Sequence, residues 1–206
     1  MTAKLPIDIE TVKGFMDADE GWALHDAALD VSRFGPVLEI GSYCGKSTVY
    51  IGVACQRNNA VLYALDHHYG SEENQKGWEH HDAALYDAET DRLNTFPLFR
   101  RTIRMAGLED TVVPLVAPSA VVSKGWATPL SMVFIDGGHG FEPALTDYRH
   151  WAPRVMPGGI LAIHDVFPDP KDGGRAPYEI YKLALASNLF AEEKTVKSLR
   201  LLRRLG

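Results

Sequence analysis

Short apolar runs, each stopping at a polar residue, constrain this chain more than any other feature. Residues 37–40 stop at Gly41, and 60–65 stop at Asp66. Residues 112–116 run into Ala117-Pro118-Ser119, 132–135 stop at Asp136, and 159–163 stop at His164-Asp165. Helical periodicity falls between them, over 46–56 and 142–151, with a last helix expected over 178–189. Upstream, Trp22, Leu24, Ala27, Ala28, Val31 and Phe34 mark one apolar face across 20–34, and Gly35-Pro36 stops it. Strands alternating with helices require a parallel sheet with right-handed crossovers. The predicted fold is a Rossmann-like, doubly wound α/β sheet with helices on both faces. Its strands are mostly parallel, and 190–195 and 198–202 pair as an antiparallel C-terminal unit. A single domain over 1–206 is expected, with N-terminal helices in 1–35 and a lid-like insertion in 67–99. That insertion is polar and aromatic, and long loops inside compact domains are commonly functional lids or disordered.

Composition narrows the partners. No stretch approaches about 18 consecutive apolar residues, so no membrane span is predicted. The N-terminal segment lacks the apolar run of a signal peptide, which points to the cytoplasm. Lysine and arginine number 21 against 27 aspartate and glutamate, a net charge of −6 that argues against a nucleic-acid partner. Cys44 and Cys55 are too few for a disulfide framework or a four-thiolate zinc site. The expected partner is therefore a small molecule or an oligosaccharide, with a second copy of the chain as a candidate.

In a parallel sheet, ligands bind outside the carboxyl ends of the strands. Gly41, Asp66, Ser119, Asp136, His139, His164 and Asp165 would all meet along that edge. The turn Glu39-x-Gly41-x-x-x-Gly45 admits two readings. Gly45-Lys46-Ser47 matches the end of a phosphate-binding loop, but only three residues separate Gly41 from Gly45, one fewer than that loop requires. The alternative is an adenosine-type site, in which glycine lets backbone approach the ligand and Asp66 accepts from the ribose hydroxyls.

With these residues in place, the chain resembles the class I S-adenosylmethionine-dependent methyltransferases. VLEIGSYCGKST is similar to their first motif, YALDHH to their ribose-binding strand end, and MVFIDGGH and GGILAIHDV to their fourth and fifth strands. Asp136-Gly137-Gly138-His139 with His164-Asp165 is similar to the magnesium-dependent sugar O-methyltransferases, and residues 66–82 resemble a methylmannose-polysaccharide branch of that group. The resemblance implies cofactor contacts at Glu39, Gly41, Ser42, Gly45, Ser47, Asp66, Ser119 and Asp136. It implies Mg²⁺ or another divalent cation at Asp136 and Asp165, and a histidine base at His139. The His-Asp pair departs from the group's two acids and leaves His164 as a ligand, an orienting residue or an acceptor contact.

The chemistry agrees with that constellation. A sugar hydroxyl is a poor acid, so methyl transfer to it benefits from a Lewis-acid cation and a nearby base. Asp136 and Asp165 offer the hard oxygens that Mg²⁺ prefers, and an imidazole titrates near neutrality. For the acceptor, His67, His68, Tyr69 and Trp78 in the insertion and Arg175 beyond the fifth strand are the expected contacts. Vicinal histidines at 67–68 and 80–81 lack the usual zinc spacing. A phenol or other small hydroxylated metabolite is the alternative acceptor. A phosphate-loop nucleotidase and a non-catalytic binding module are the alternative classes.

Overall fold

A computed structural model describes residues 4–70, 82–138, 140–169 and 171–206. Helix α1 (Ala18–Val31) precedes β1 (Val37–Ile40), α2 (Lys46–Arg57) and β2 (Leu62–Asp66). A small ladder of β3 (Tyr86–Asp87) and β4 (Arg92–Leu93) leads into α3 (Phe96–Met105) and β5 (Val112–Val116). Then come α4 (Ser119–Val122), β6 (Leu130–Ile135), α5 (Phe141–Trp151), β7 (Val155–Ile163), α6 (Arg175–Ala186), β8 (Phe190–Val196) and β9 (Leu199–Arg204).

Seven strands form one sheet in the order β5-β2-β1-β6-β7-β9-β8. The five from β5 to β7 are parallel, while β9 runs antiparallel to both β7 and β8. This is the mostly parallel sheet with an antiparallel C-terminal pair that the strand pattern predicts. From β1 the chain winds outward through β2 to β5, then crosses back to β6. The order thus reverses beside β1, where parallel sheets open a crevice above their carboxyl ends.

Strand periodicity sorts the core into two layers. Val37, Met132, Phe134, Ile160 and Ala162 face α1, α2 and α3, meeting Leu24, Ala28, Val49 and Phe99. Their neighbours Leu38, Val133, Ile135, Leu161 and Ile163 face α5 and α6, meeting Ala144, Trp151, Ile180 and Ala184. Because successive strand residues point to opposite faces, an unbroken apolar run fills both layers. The outer strand β8 is exposed beyond Phe190 and carries Glu192, Glu193 and Lys194, charges that discourage pairing with another chain.

Several boundaries differ from the sequence expectation, β7 most in length, starting at Val155 rather than 159, and two shifts have a clear local cause. Helix α6 starts three residues early, at Arg175, because Pro177 lies in the first turn, where no intrahelical N–H is needed. The segment expected as a loop through residue 99 becomes helix at Phe96, with Pro97 in its first turn and Phe99 buried in the core.

Candidate functional site

The carboxyl edge of the sheet opens into a cleft of about 1010 Å³. The glycine turn, the strand-end residues Asp66, Ser119, Asp136, His164 and Asp165, and the N-terminal segment Gly14-Phe15-Met16 all border it.

Its floor is the turn between β1 and α2. Gly41 holds φ at 89°, and a Cβ there would lie 2.1 Å from the Asp136 carbonyl oxygen. No side chain fits at that position, and the turn packs backbone to backbone against the end of β6. Tyr43 adopts φ of 45°, unusual for a bulky residue, and its N–H donates to Asp66 Oδ2 at 2.8 Å. Asp66 Oδ1 accepts from the His68 N–H at 2.6 Å. A carboxylate has about four acceptor sites, so two remain for a ligand.

Glu39 does not face the cleft. It is fully buried beneath the turn, where Ser47 Oγ donates to Oε1 at 2.6 Å and Thr48 Oγ1 to Oε2 at 2.5 Å. Burial pushes its carboxyl up to about 8, against the opposing pull of those hydroxyls. Its partners lie beneath the turn, so the side chain expected to contact a cofactor does not line the cleft. The same bond engages the Ser47 hydroxyl that a phosphate loop would use, and Lys46 pairs with Glu10 at 3.6 Å. Gly41, Ser42, Gly45 and Ser47 nonetheless remain in or beside the turn, and Ser42 and Ser47 border the cleft.

Four of the five expected acceptor contacts fall among the described residues, and they divide. His67 borders the cleft and stacks on Tyr69 at 5.5 Å, with Arg92 over the Tyr69 ring at 5.3 Å. His68 is instead a core residue, 2% exposed between Phe96 and Phe99, with Nδ1 2.7 Å from Thr95 Oγ1. Arg175 sits at the start of α6, bonded to Glu179 and the Pro168 carbonyl and stacked over Tyr178. It does not border the cleft, although Gly173 and Gly174 just before it do. Trp78 and His139 lie outside the described residues, as do His80 and His81.

At the opposite wall, Asp136 Oδ1 lies 3.0 Å and Asp165 Oδ2 lies 3.4 Å from His164 Nδ1. Neighbouring parallel strands β6 and β7 bring the three together, and Asp165 takes φ of 54° to turn back toward the ring. His164 Nε2 lies 3.0 Å from Glu20 Oε2 on α1. The other Glu20 oxygen accepts from the Ser198 N–H and hydroxyl and from the Leu199 N–H, at 2.8–3.1 Å. Burial opposes charge on the imidazole, but Asp136, Asp165 and Glu20 together raise its pKa far above the ordinary value. Burial likewise works to raise the Glu20 carboxyl, yet the bond and charge of His164 bring it below its usual range.

This cluster suits a cation. One ligand atom from each of Asp136, His164 and Asp165 lies within 4.8 Å of the others. Two carboxylate oxygens fit a hard divalent ion that keeps several waters. A ring whose far nitrogen is held by a carboxylate is the usual arrangement around a metal-binding histidine.

The sequence pattern did not single out Asp147. It lies 7% exposed on α5, borders the cleft, and accepts from the Ser119 hydroxyl. Ser119 Oγ also accepts from Trp151 Nε1 at 2.9 Å. Burial pushes the Asp147 carboxyl up to about 6, partly offset by the Ser119 bond. The missed signal was position: 144, 147, 148 and 151 share one helical face, so an aspartate at 147 interrupts an apolar stripe.

Solved structures share this architecture. An O-methyltransferase from Bacillus cereus in complex with SAH matches 92% of this chain and 82% of its own, with 16% identity and a TM-score of 0.63. The O-methyltransferase TomG of tomaymycin synthesis from Streptomyces achromogenes, in complex with SAM, matches 93% and 82% at 18% identity and a TM-score of 0.63. An rRNA methylase from Streptococcus thermophilus matches 94% and 100% at 13% identity and a TM-score of 0.59. At these identities the likeness is one of fold. A family model described as a methyltransferase domain matches residues 38–166, from the glycine turn to just past the acid–imidazole cluster. The match takes in more than half of the chain, and the protein belongs to this methyltransferase-domain family.

Proposed function

We propose that the protein is an S-adenosylmethionine-dependent O-methyltransferase whose acceptor is a hydroxyl of a sugar or small saccharide. The 1-O position of a methylated mannoside is the specific candidate, and the cytoplasm is the expected location. No helix among the described residues is long and apolar enough to cross a membrane. The observation that carries the reading is the pairing of Asp136 and Asp165 around His164 at neighbouring strand ends, facing the cleft floored by the Gly41 turn.

The cofactor supplies an electrophilic methyl, and a divalent cation held by Asp136, Asp165 and His164 supplies Lewis-acid polarisation of an oxygen. The residues do the rest. Gly41 leaves backbone bare at the cleft floor, Gly45 lets the turn that carries it pack against Phe99 and Thr102, and Asp66 offers its two remaining acceptor sites to ribose hydroxyls. Ser119 lines the base end through its place in the wall. Glu20 fixes the orientation of His164, so that Nδ1 faces the two acids. His139, three residues beyond Asp136, is assigned as the base that removes the acceptor proton. His67, Tyr69 and Trp78 are the side chains assigned to the saccharide, since aromatic rings present apolar faces with polar rims. Another small hydroxylated metabolite would use the same machinery with different wall contacts.

Calorimetric titration tests the cofactor. S-adenosylhomocysteine should bind and ATP should not; ATP binding with no response to S-adenosylhomocysteine would remove the reading. Dialysis against a chelator tests the cation. Methyl transfer to a mannoside acceptor should stop and return on Mg²⁺ addition, and full activity in excess chelator would take the metal out of the mechanism.

A further inference from the structure

We propose that Asp147 reads the purine of the cofactor by accepting from its exocyclic amine, and that it excludes 6-oxo purines. The inference rests on the cofactor reading above. Four observations support it, all at the cleft end formed by the turns after β5 and β6.

Ser119 stands where a strand-end hydroxyl could contact a ligand, but its one donor is spent and one of its two lone pairs is taken. It donates to Asp147 Oδ1 and accepts from the Trp151 indole N–H at 2.9 Å. The carboxylate behind it keeps a second oxygen. Among the described residues, Asp147 Oδ2 accepts no hydrogen bond, although the side chain borders the cleft and its residue is only 7% exposed. Gly137 leaves that oxygen uncovered, since a Cβ on it would sit 3.0 Å from Oδ2. The position on the sheet agrees. Asp66 ends β2, the strand between β1 and β5, so a nucleoside held at Asp66 has its base directed to one side or the other of β2. The β5 side leads to Ser119 and Asp147.

The chemistry then follows from the acceptor. A carboxylate oxygen open to the cleft and without a partner among the described residues matches an N–H donor and repels a carbonyl oxygen. A hydrogen bond to a charged group contributes far more than a neutral one, and an unmatched buried acceptor is costly. An adenine offers an amine at its sixth position, whereas a hypoxanthine offers a carbonyl there. The Ser119 and Trp151 bonds hold the carboxylate in place, so selectivity is built into a rigid wall rather than a mobile loop.

The test is a titration of two ligands against two proteins. S-adenosylhomocysteine and its 6-oxo counterpart, S-inosylhomocysteine, are titrated into the wild-type chain and into Asp147→Asn. Wild type should prefer the amine by about 10–100-fold, the range expected for a charged hydrogen bond. The amide of Asp147→Asn offers a donor as well as an acceptor, so its preference should fall to within a few-fold. A merely structural role would weaken both ligands alike and leave the ratio unchanged, which would overturn the proposal. Equal binding of both ligands by the wild type overturns it without any variant, so a poorly folding Asn variant does not shelter it. Failure of wild type to bind either ligand would instead defeat the cofactor reading, and this proposal with it.

Discussion

Replacing Glu39 with glutamine should change how stability depends on pH, in a direction fixed by burial. The carboxyl is fully buried, and its only partners among the described side chains are the hydroxyls of Ser47 and Thr48. Desolvation raises it from an ordinary 4.5 to about 8. A group raised on folding binds its proton more tightly in the folded state. Its contribution is therefore complete below the unfolded value, and is lost as pH rises through the folded one. Between those limits the loss is about 1.4 kcal/mol per pH unit, which comes to roughly 3 kcal/mol between about pH 5.5 and about pH 8.5. Glutamine keeps the shape and removes the titration. Urea denaturation of both proteins at the two pH values isolates the effect, since other groups titrate alike in each. Glu39→Gln should be the less stable or equal partner at the lower pH, and should gain about 3 kcal/mol relative to wild type at the higher one. An unchanged difference between the two pH values would refute a neutral Glu39 and, with it, the idea that burial sets its charge.

Gly41→Ala should drive the turn apart, because its Cβ would fall 2.1 Å from the Asp136 carbonyl. A Tm drop with loss of S-adenosylhomocysteine binding by calorimetry is expected, at a cost of at least 1–3 kcal/mol in backbone strain. His139→Ala should lower kcat by about 10²–10⁴-fold in steady-state assays while leaving cofactor affinity and Tm close to wild type. His164→Ala should behave differently: it leaves Glu20 buried without its partner, at a cost of about 3–5 kcal/mol seen as a falling denaturation midpoint. Equal midpoints for the two histidine variants would contradict the Glu20 contact.

Much of the fold was legible because strand ends are written in contrast. An apolar run that stops at Asp66, Asp136 or His164 reports both the strand and its functional edge, and the structure places those residues around one cleft. Direction of a side chain is harder to read. Glu39 lies two residues before Gly41 yet points beneath the turn, because strand residues alternate faces and the local hydroxyls of Ser47 and Thr48 capture it. His68 follows His67 directly, but φ of 62° turns it under α3 while its neighbour stays in the cleft. Arg175 lies ahead of the helix expected from 178, yet it belongs to that helix's first turn and bonds Glu179 within it. Asp147, and the hold of Glu20 on His164 and Ser198, are not legible in the sequence for a shared reason. Each is an acid on the inner face of a helix, and its partner lies far away in sequence, at Ser119 or at His164 and Ser198.

The Glu20 clamp also orders events in time. Its three oxygen-bound donors come from residues 198 and 199, while its acid end grips a ring at 164, so the contact spans 178 positions of sequence. During synthesis α1 emerges early, but one oxygen of its buried carboxylate waits for His164 and the other for the turn between β8 and β9. Pairings this distant are closed late and slow the search for the native state. The edge that carries the cleft is therefore finished only when the β8–β9 pair has formed, although none of that pair's own side chains borders the cleft.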